Sequence, residues 1–307
     1  MAAPTVQFTI ADDRITESSG LATSRRFKGV VYTHNDSEDD ARVFALGSDG
    51  RTRAVLTLDG VDARDWEAIA TGEDDDGGPA LYIGDIGDNL GGAWSEIWVY
   101  RIAEPAELED QTVSYERFRF RYSDGPRDAE ALLVDPGTNR IYIVSKGASG
   151  GAVYVAPLRP SASKVNVLRR VARAPAMVTD GAFSPDGTRL VLRDYVFAYA
   201  YNKPGSELAR LTLPVQSQGE SITYTRDGRA LLSGSEGEHA KVWQVPLPRV
   251  ALASALRAAT PSPTPTEPAS DSDEDALVYG GNLLALLVAG GTAFLTFVLF
   301  RRGRRQG

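Results

Sequence analysis

Five acidic residues recur at the head of similar short segments. They are Glu17-Ser18-Ser19-Gly20-Leu21, Glu67-Ala68-Ile69, Glu130-Ala131-Leu132, Asp180-Gly181-Ala182-Phe183 and Glu220-Ser221-Ile222, spaced 50, 63, 50 and 40 residues apart. A polar loop follows each: His34-Asn35-Asp36-Ser37, Gly84-Asp85-Ile86-Gly87-Asp88-Asn89, Ser145-Lys146-Gly147, Arg193-Asp194-Tyr195 and Gly234-Ser235-Glu236. Carboxylates and amides at this density offer hard oxygen ligands. With no Cys and only two His in the chain, such a set suits Ca²⁺ better than zinc or copper. The candidate ligands are Glu17, Glu67, Asp85 and Glu130, within a wider polar cluster of Asn35, Asp36, Asp88, Asn89, Lys146, Asp180, Arg193 and Glu220. Each acid has a plainer use as well. It could bond backbone N–H groups of a neighbouring unit, or pair with Lys146 or Arg193, because several like charges in a narrow space raise one another's pKa.

The segments that carry these residues are short β-type runs such as Val30-Val31-Tyr32-Thr33, Leu81-Tyr82-Ile83-Gly84, Ile97-Trp98-Val99-Tyr100 and Ile141-Tyr142-Ile143-Val144. Turn signals such as Asp49-Gly50, Asp135-Pro136-Gly137, Asp186-Gly187 and Asp227-Gly228 separate them. Four β-runs per unit, repeating at 40–63 residues, are the pattern of an all-β propeller. The count predicts five blades over residues 5–250, or six if the long second unit is really two. The fifth unit is one strand short, and Val6-Gln7-Phe8-Thr9-Ile10 precedes the first unit, so the N-terminal strand is expected to close the ring. Closure removes exposed sheet edges. Propeller geometry would then bring all five acidic openers and the five loops to one mouth of the central channel.

Other features read more plainly. His34 is expected in a loop and Trp66, Trp94, Trp98 and Trp243 between blades. Ser18-Ser19 lacks partners for a catalytic triad. Gly147–Gly151 precedes no helix, so it is no phosphate loop. Asp74-Asp75-Asp76-Gly77-Gly78 lacks the spacing of an EF-hand and reads as a hairpin tip. The formal charge of −8 argues against a nucleic-acid partner.

The C-terminal region has another character. Ala276–Phe300 is uncharged and long enough for a bilayer core of about 30 Å. Asp271, Asp273, Glu274 and Asp275 precede it, and Arg301, Arg302, Arg304 and Arg305 follow it. The positive-inside rule therefore predicts a single-pass span at 276–300, a basic cytoplasmic tail at 301–307 and an extracytoplasmic body. Residues 251–275 read as a short helix near Val250–Arg257 and an extended, acidic Pro/Ser/Thr stalk. Met1-Ala2-Ala3-Pro4 has no signal-peptide features, and an export signal further upstream is expected.

Several of these motifs resemble bacterial extracytoplasmic, membrane-anchored β-propeller proteins, and the excess of Arg over Lys suits a high-GC, actinobacterial source. They are Glu17-Ser18-Ser19-Gly20-Leu21-Ala22, Asp65-Trp66-Glu67-Ala68-Ile69-Ala70, Tyr82-Ile83-Gly84-Asp85-Ile86-Gly87-Asp88-Asn89 and Asp128-Ala129-Glu130-Ala131-Leu132. Phe183-Ser184-Pro185-Asp186-Gly187 resembles generic WD-repeat-like units, and the acidic mouth is more distantly similar to calcium-dependent lactonase and phytase-type propellers. The resemblance implies a binding or scaffolding propeller for a protein or small-molecule ligand. Its alternative is a calcium-dependent hydrolase acting on phosphoesters or lactones.

Overall fold

The computed structural model describes residues 2–37, 39–253 and 256. The candidate span at 276–300, the tail and nearly all of the stalk lie outside the described residues. Among the described residues no helix is long and apolar enough to cross a membrane.

The chain opens with β1 (Thr5–Thr9) and then builds five units of four strands, counted among the described residues. The first unit is β2 (Ser18–Thr23), β3 (Val31–Asn35), β4 (Arg42–Leu46) and β5 (Thr52–Leu58). The second comprises β6 (Trp66–Glu73), β7 (Pro79–Asp85), β8 (Ile97–Ala103) and a long fourth strand broken into β9 (Gln111–Val113) and β10 (Tyr115–Tyr122). The third is β11 (Ala129–Asp135), β12 (Arg140–Ser145), β13 (Gly151–Val155) and β14 (Val165–Ala174). The fourth is β15 (Asp180–Phe183), β16 (Leu190–Arg193), β17 (Phe197–Tyr201) and β18 (Glu207–Thr212). The fifth has β19 (Gly219–Tyr224), β20 (Ala230–Ser235) and β21 (Lys241–Pro246), and β1 pairs antiparallel with β21 as its outer strand.

The innermost strands β2, β6, β11, β15 and β19 pack side by side in that order, and β19 returns to β2. This is the closed ring of a β-propeller. Five apolar clusters hold it, one at each junction between neighbouring units. Tyr32, Leu56 and Trp66 join the first and second; Phe120, Ile143 and Tyr154 the second and third; Leu133, Val153 and Leu192 the third and fourth. Val191, Ile222 and Leu231 join the fourth and fifth, and Phe8, Phe44 and Val242 join the fifth and first. A blade is apolar on both faces because both face another blade, which is why inner strands such as β19 are buried throughout. At the Asp49-Gly50 turn, Gly50 has φ +77°, and a Cβ there would sit 1.9 Å from the Thr9 carbonyl oxygen, so only glycine fits.

The long second unit is not two blades. Its extra length is β9, which leaves its own sheet to pair in parallel with β5 of the first unit. Continuing into β10, the same strand pairs antiparallel with β8 and in parallel with β14 of the third unit. One strand thus bridges three units and fuses the second and third into an eight-stranded sheet. Of the short helix expected near Val250–Arg257, the described residues show a 3₁₀ turn at Arg249–Ala251 and helical backbone at Leu256; the rest lies outside them.

The channel has two unlike ends. The C-terminal halves of all five inner strands line a cavity of about 280 Å³, including Leu21, Ile69, Leu133, Ala182 and Thr223. Their N-terminal ends carry the acidic residues.

Candidate functional site

Backbone pairing sets the position of each acid. In the second and third units the inner strand bulges near its start, and the unpaired residue there is Glu67 or Glu130; in the fifth, Glu220 and Ser221 both fall in the irregular stretch opposite Gly234. A bulge leaves its residue outside the ladder and re-aims its side chain. In the first unit the corresponding bulged residue is Ser19, not Glu17. Glu17 instead matches Asp65, Asp128 and Gln218: the carbonyl oxygens of these four accept from Asp36, Ile86, Lys146 and Glu236 N–H, respectively, in the loop after each second strand. Asp180 starts a strand without a bulge and faces Arg193 in register. The expectation of five equivalent openers is corrected accordingly, because the first unit is offset by two residues.

Among the described residues one group of three acids converges. Asp36, Asp65 and Glu67 each bring one carboxylate oxygen within 4.8 Å of the others. Asp36 and Glu67 are buried and Asp65 is 9% exposed. Asp36 comes from the loop after β3, while Asp65 and Glu67 flank the start of β6, so the group lies across the junction of the first two units. The Trp66 N–H donates to the Asp36 carbonyl oxygen at 2.9 Å, which fixes that junction. Ser19 Oγ donates to the Glu67 carbonyl oxygen at 3.0 Å and lies 3.4 Å from its carboxylate, and Asn89 Nδ2 donates to Asp65 Oδ2 at 3.3 Å. Gly87 completes the enclosure. A Cβ there would fall 2.4 Å from Glu67 Oε1 and 2.6 Å from Asp65 Oδ2, so the two carboxylates are packed against bare backbone.

The other candidate ligands have different company. Glu17 is half-buried and accepts from Ser37 Oγ at 3.4 Å. Asp85 is fully buried but bound by Arg64, whose Nε lies 3.1 Å from Oδ1. Glu130 is held by Lys146 Nζ at 2.7 Å. None of these three belongs to the converging group. Asp65 was the residue the openers obscured; the Asp65-x-Glu67 spacing, repeated as Asp128-x-Glu130, was the available signal.

Most remaining polar residues tie blades together. Asp180 accepts from the N–H groups of Gly181 and of Ile222, both at 2.7 Å, joining the fourth unit to the fifth. Arg193, fully buried, donates through Nη1 to the Ser221 and Gly234 carbonyl oxygens and to Ser233 Oγ. Asn35 accepts from Thr16 and Glu17 N–H and donates to the Arg14 carbonyl oxygen and Asp39 Oδ2. The Asp88 N–H donates to Asp128 Oδ1, and its own Oδ2 accepts from Trp94 N–H. Glu220 accepts from Gln218 Nε2. His34, expected in a loop, lies within β3 and is completely buried against Trp66. Trp94, expected between blades, is 37% exposed and stacks over the Arg64 guanidinium.

The electrostatics follow from crowding. Burial, then the facing charges of Asp36, Glu130 and Asp65, pushes Glu67 well above the ordinary carboxylate range. Burial also raises Glu130 and Glu220, although Lys146 opposes it in both. Burial raises Asp85 to about 6 against the pull of Arg64, and it drops His34 to about 4, leaving that ring neutral. Burial pulls Lys146 down, but Glu130, Tyr195, Glu220 and Glu67 more than reverse it, so the ammonium stays charged. The mouth holds more carboxylate than ammonium and guanidinium can balance.

No protein-family model matches the chain, and comparison with the curated proteins gives no match. Among solved structures, the chain is similar to a gluconolactonase from Xanthomonas campestris, with 14% identity and a TM-score of 0.47 over 81% of this chain and 96% of that one. Likeness at this level says nothing of activity.

Proposed function

We propose that the protein is a cation-loaded binding propeller that presents its acidic channel mouth to a ligand. The observation that carries this is the convergence of Asp36, Asp65 and Glu67 against the bare backbone of Gly87. Buried like charges are costly unless neutralised, and three carboxylates with no sulfur or imidazole suit a hard divalent ion such as Ca²⁺. The three would supply protein ligands to that ion, which would polarise any oxygen bound to it. Lys146 and Arg193 already serve Glu130 and the fifth blade, so binding fits this mouth better than hydrolysis. We extend the proposal to the whole chain: 276–300 anchors it in a cell membrane and the propeller faces outward.

The test is thermal melting with calcium and then with chelator, alongside assays of generic phosphoesters and lactones. Binding predicts a calcium-dependent melting temperature without turnover. Turnover abolished by Glu67→Gln would favour the hydrolase, and a melt indifferent to calcium would remove the cation.

A further inference from the structure

Between Asp135 and Asp180 the chain has no acidic residue but seven basic ones, in a protein of formal charge −8. That stretch is most of the third blade and ends in its outermost strand, β14. The parallel pairing of β10 with β14 sets Arg119 beside Val165 and Arg121 beside Val167. Phe120, Tyr122 and Leu168 on the opposite face are buried in the core between the second and third blades, so Arg119, Arg121, Val165 and Val167 point away from it. Arg121, Arg159, Lys164, Arg169, Arg170 and Arg173 are all exposed along this rim, and none of them takes part in an ion pair among the described residues. Arg119, next to them, lies 3.8 Å from Glu96. Exposed aliphatic side chains are interspersed, Leu158 at 57% and Val171 at 50%.

We propose that this rim of the third blade docks on an anionic phospholipid surface. Clustered arginines are drawn to anionic headgroups and aliphatic side chains enter the interface, a combination that suits a bilayer. An acidic protein would complement the same charges, but a bilayer is the surface that the apolar run after the stalk brings within reach. The apolar run beginning at Ala276 starts about 20 residues after Leu256, a reach of up to about 70 Å if extended. A body tethered to a bilayer meets that surface repeatedly, and this basic rim is the face whose charges and aliphatic side chains suit it.

The chain ended after Pro261 suits the test, because the ring closure and all five apolar clusters lie before that point. It is sedimented with phosphatidylcholine vesicles with and without phosphatidylglycerol. The expected result is binding only to the anionic vesicles, released by roughly 0.5 M salt, where charges are screened within a few ångströms. The triple variant R169Q/R170Q/R173Q should bind about a hundredfold more weakly while melting at the wild-type temperature. Val171→Asp should weaken binding with the arginines intact. Equal binding to neutral vesicles, or binding unchanged by the triple variant, would overturn the proposal. Capture by polyglutamate beads without vesicle binding would overturn it in favour of an acidic protein partner.

Discussion

Glu67 is the residue on which the site turns, since burial and three neighbouring acids all act on it. Glu67→Gln removes one ligand charge but keeps the shape. The variant should fold, and calcium should no longer raise its melting temperature. In the wild type, an ion at a hundred times its dissociation constant stabilises by about 2.7 kcal/mol. Gly87→Ala tests the same site through space: its Cβ would displace both Asp65 and Glu67, so calcium binding should be lost with only a small change in chelated stability. The pH dependence follows from the directions of shift. Glu67, Glu130, Glu220 and Asp180 all hold their protons more tightly when folded. Each therefore contributes stability at low pH that is lost as pH rises through its raised folded value. His34, depressed to about 4, works the other way, but only below its free value near 6.5. Between pH 6.5 and about 8, where Glu130 titrates in the folded protein, the chelated protein should melt at falling temperature as pH rises, and calcium should flatten that slope. Scanning calorimetry across this range reads both.

At the scale of elements, stability depends on the stitches between inner strands. Asp180 satisfies two buried N–H groups, one on each side of a blade junction. Asp180→Ala leaves both unpaired and should cost about 2–5 kcal/mol, read as a lower denaturant midpoint, with the calcium response intact because Asp180 is remote from the converging group. The elements were largely legible in the sequence. Period-2 runs and Asp-Gly turns gave the strands, and the acidic openers marked the inner ones. The two-residue offset of the first unit was not legible, because Glu17 and Ser19 exchange places only when the bulge is seen. Nor was the departure of β9 to a neighbouring blade, since Gln111-Thr112-Val113 reads as an ordinary continuation of its own strand. His34 was misplaced for a related reason. A polar residue beside Asn35 and Asp36 looks like loop, yet its ring is needed to fill the space under Trp66.

The propeller is a ring closed by its own N-terminal strand. Because β1 covers the edge of β21, a chain lacking residues 2–10 should expose that edge and the Phe8 side of the last core. Light scattering after size exclusion, on chains ended after Pro261, should then show association where the chain that keeps β1 is monodisperse. The ring also explains why residues so far apart in sequence share one mouth: every inner strand starts there, although the backbone position that carries the acid differs between blades. It further explains why most of those residues serve the ring itself, leaving one converging group of acids among the described residues. The most direct test is calorimetric titration of calcium into the protein and its variants at pH 7.5. One ion should bind per chain, binding should be lost in Glu67→Gln and Asp65→Asn, and it should persist in Glu17→Gln and Asp85→Asn. Binding that survives loss of Glu67, or that disappears with Glu17 instead, would contradict the site described between the first two blades.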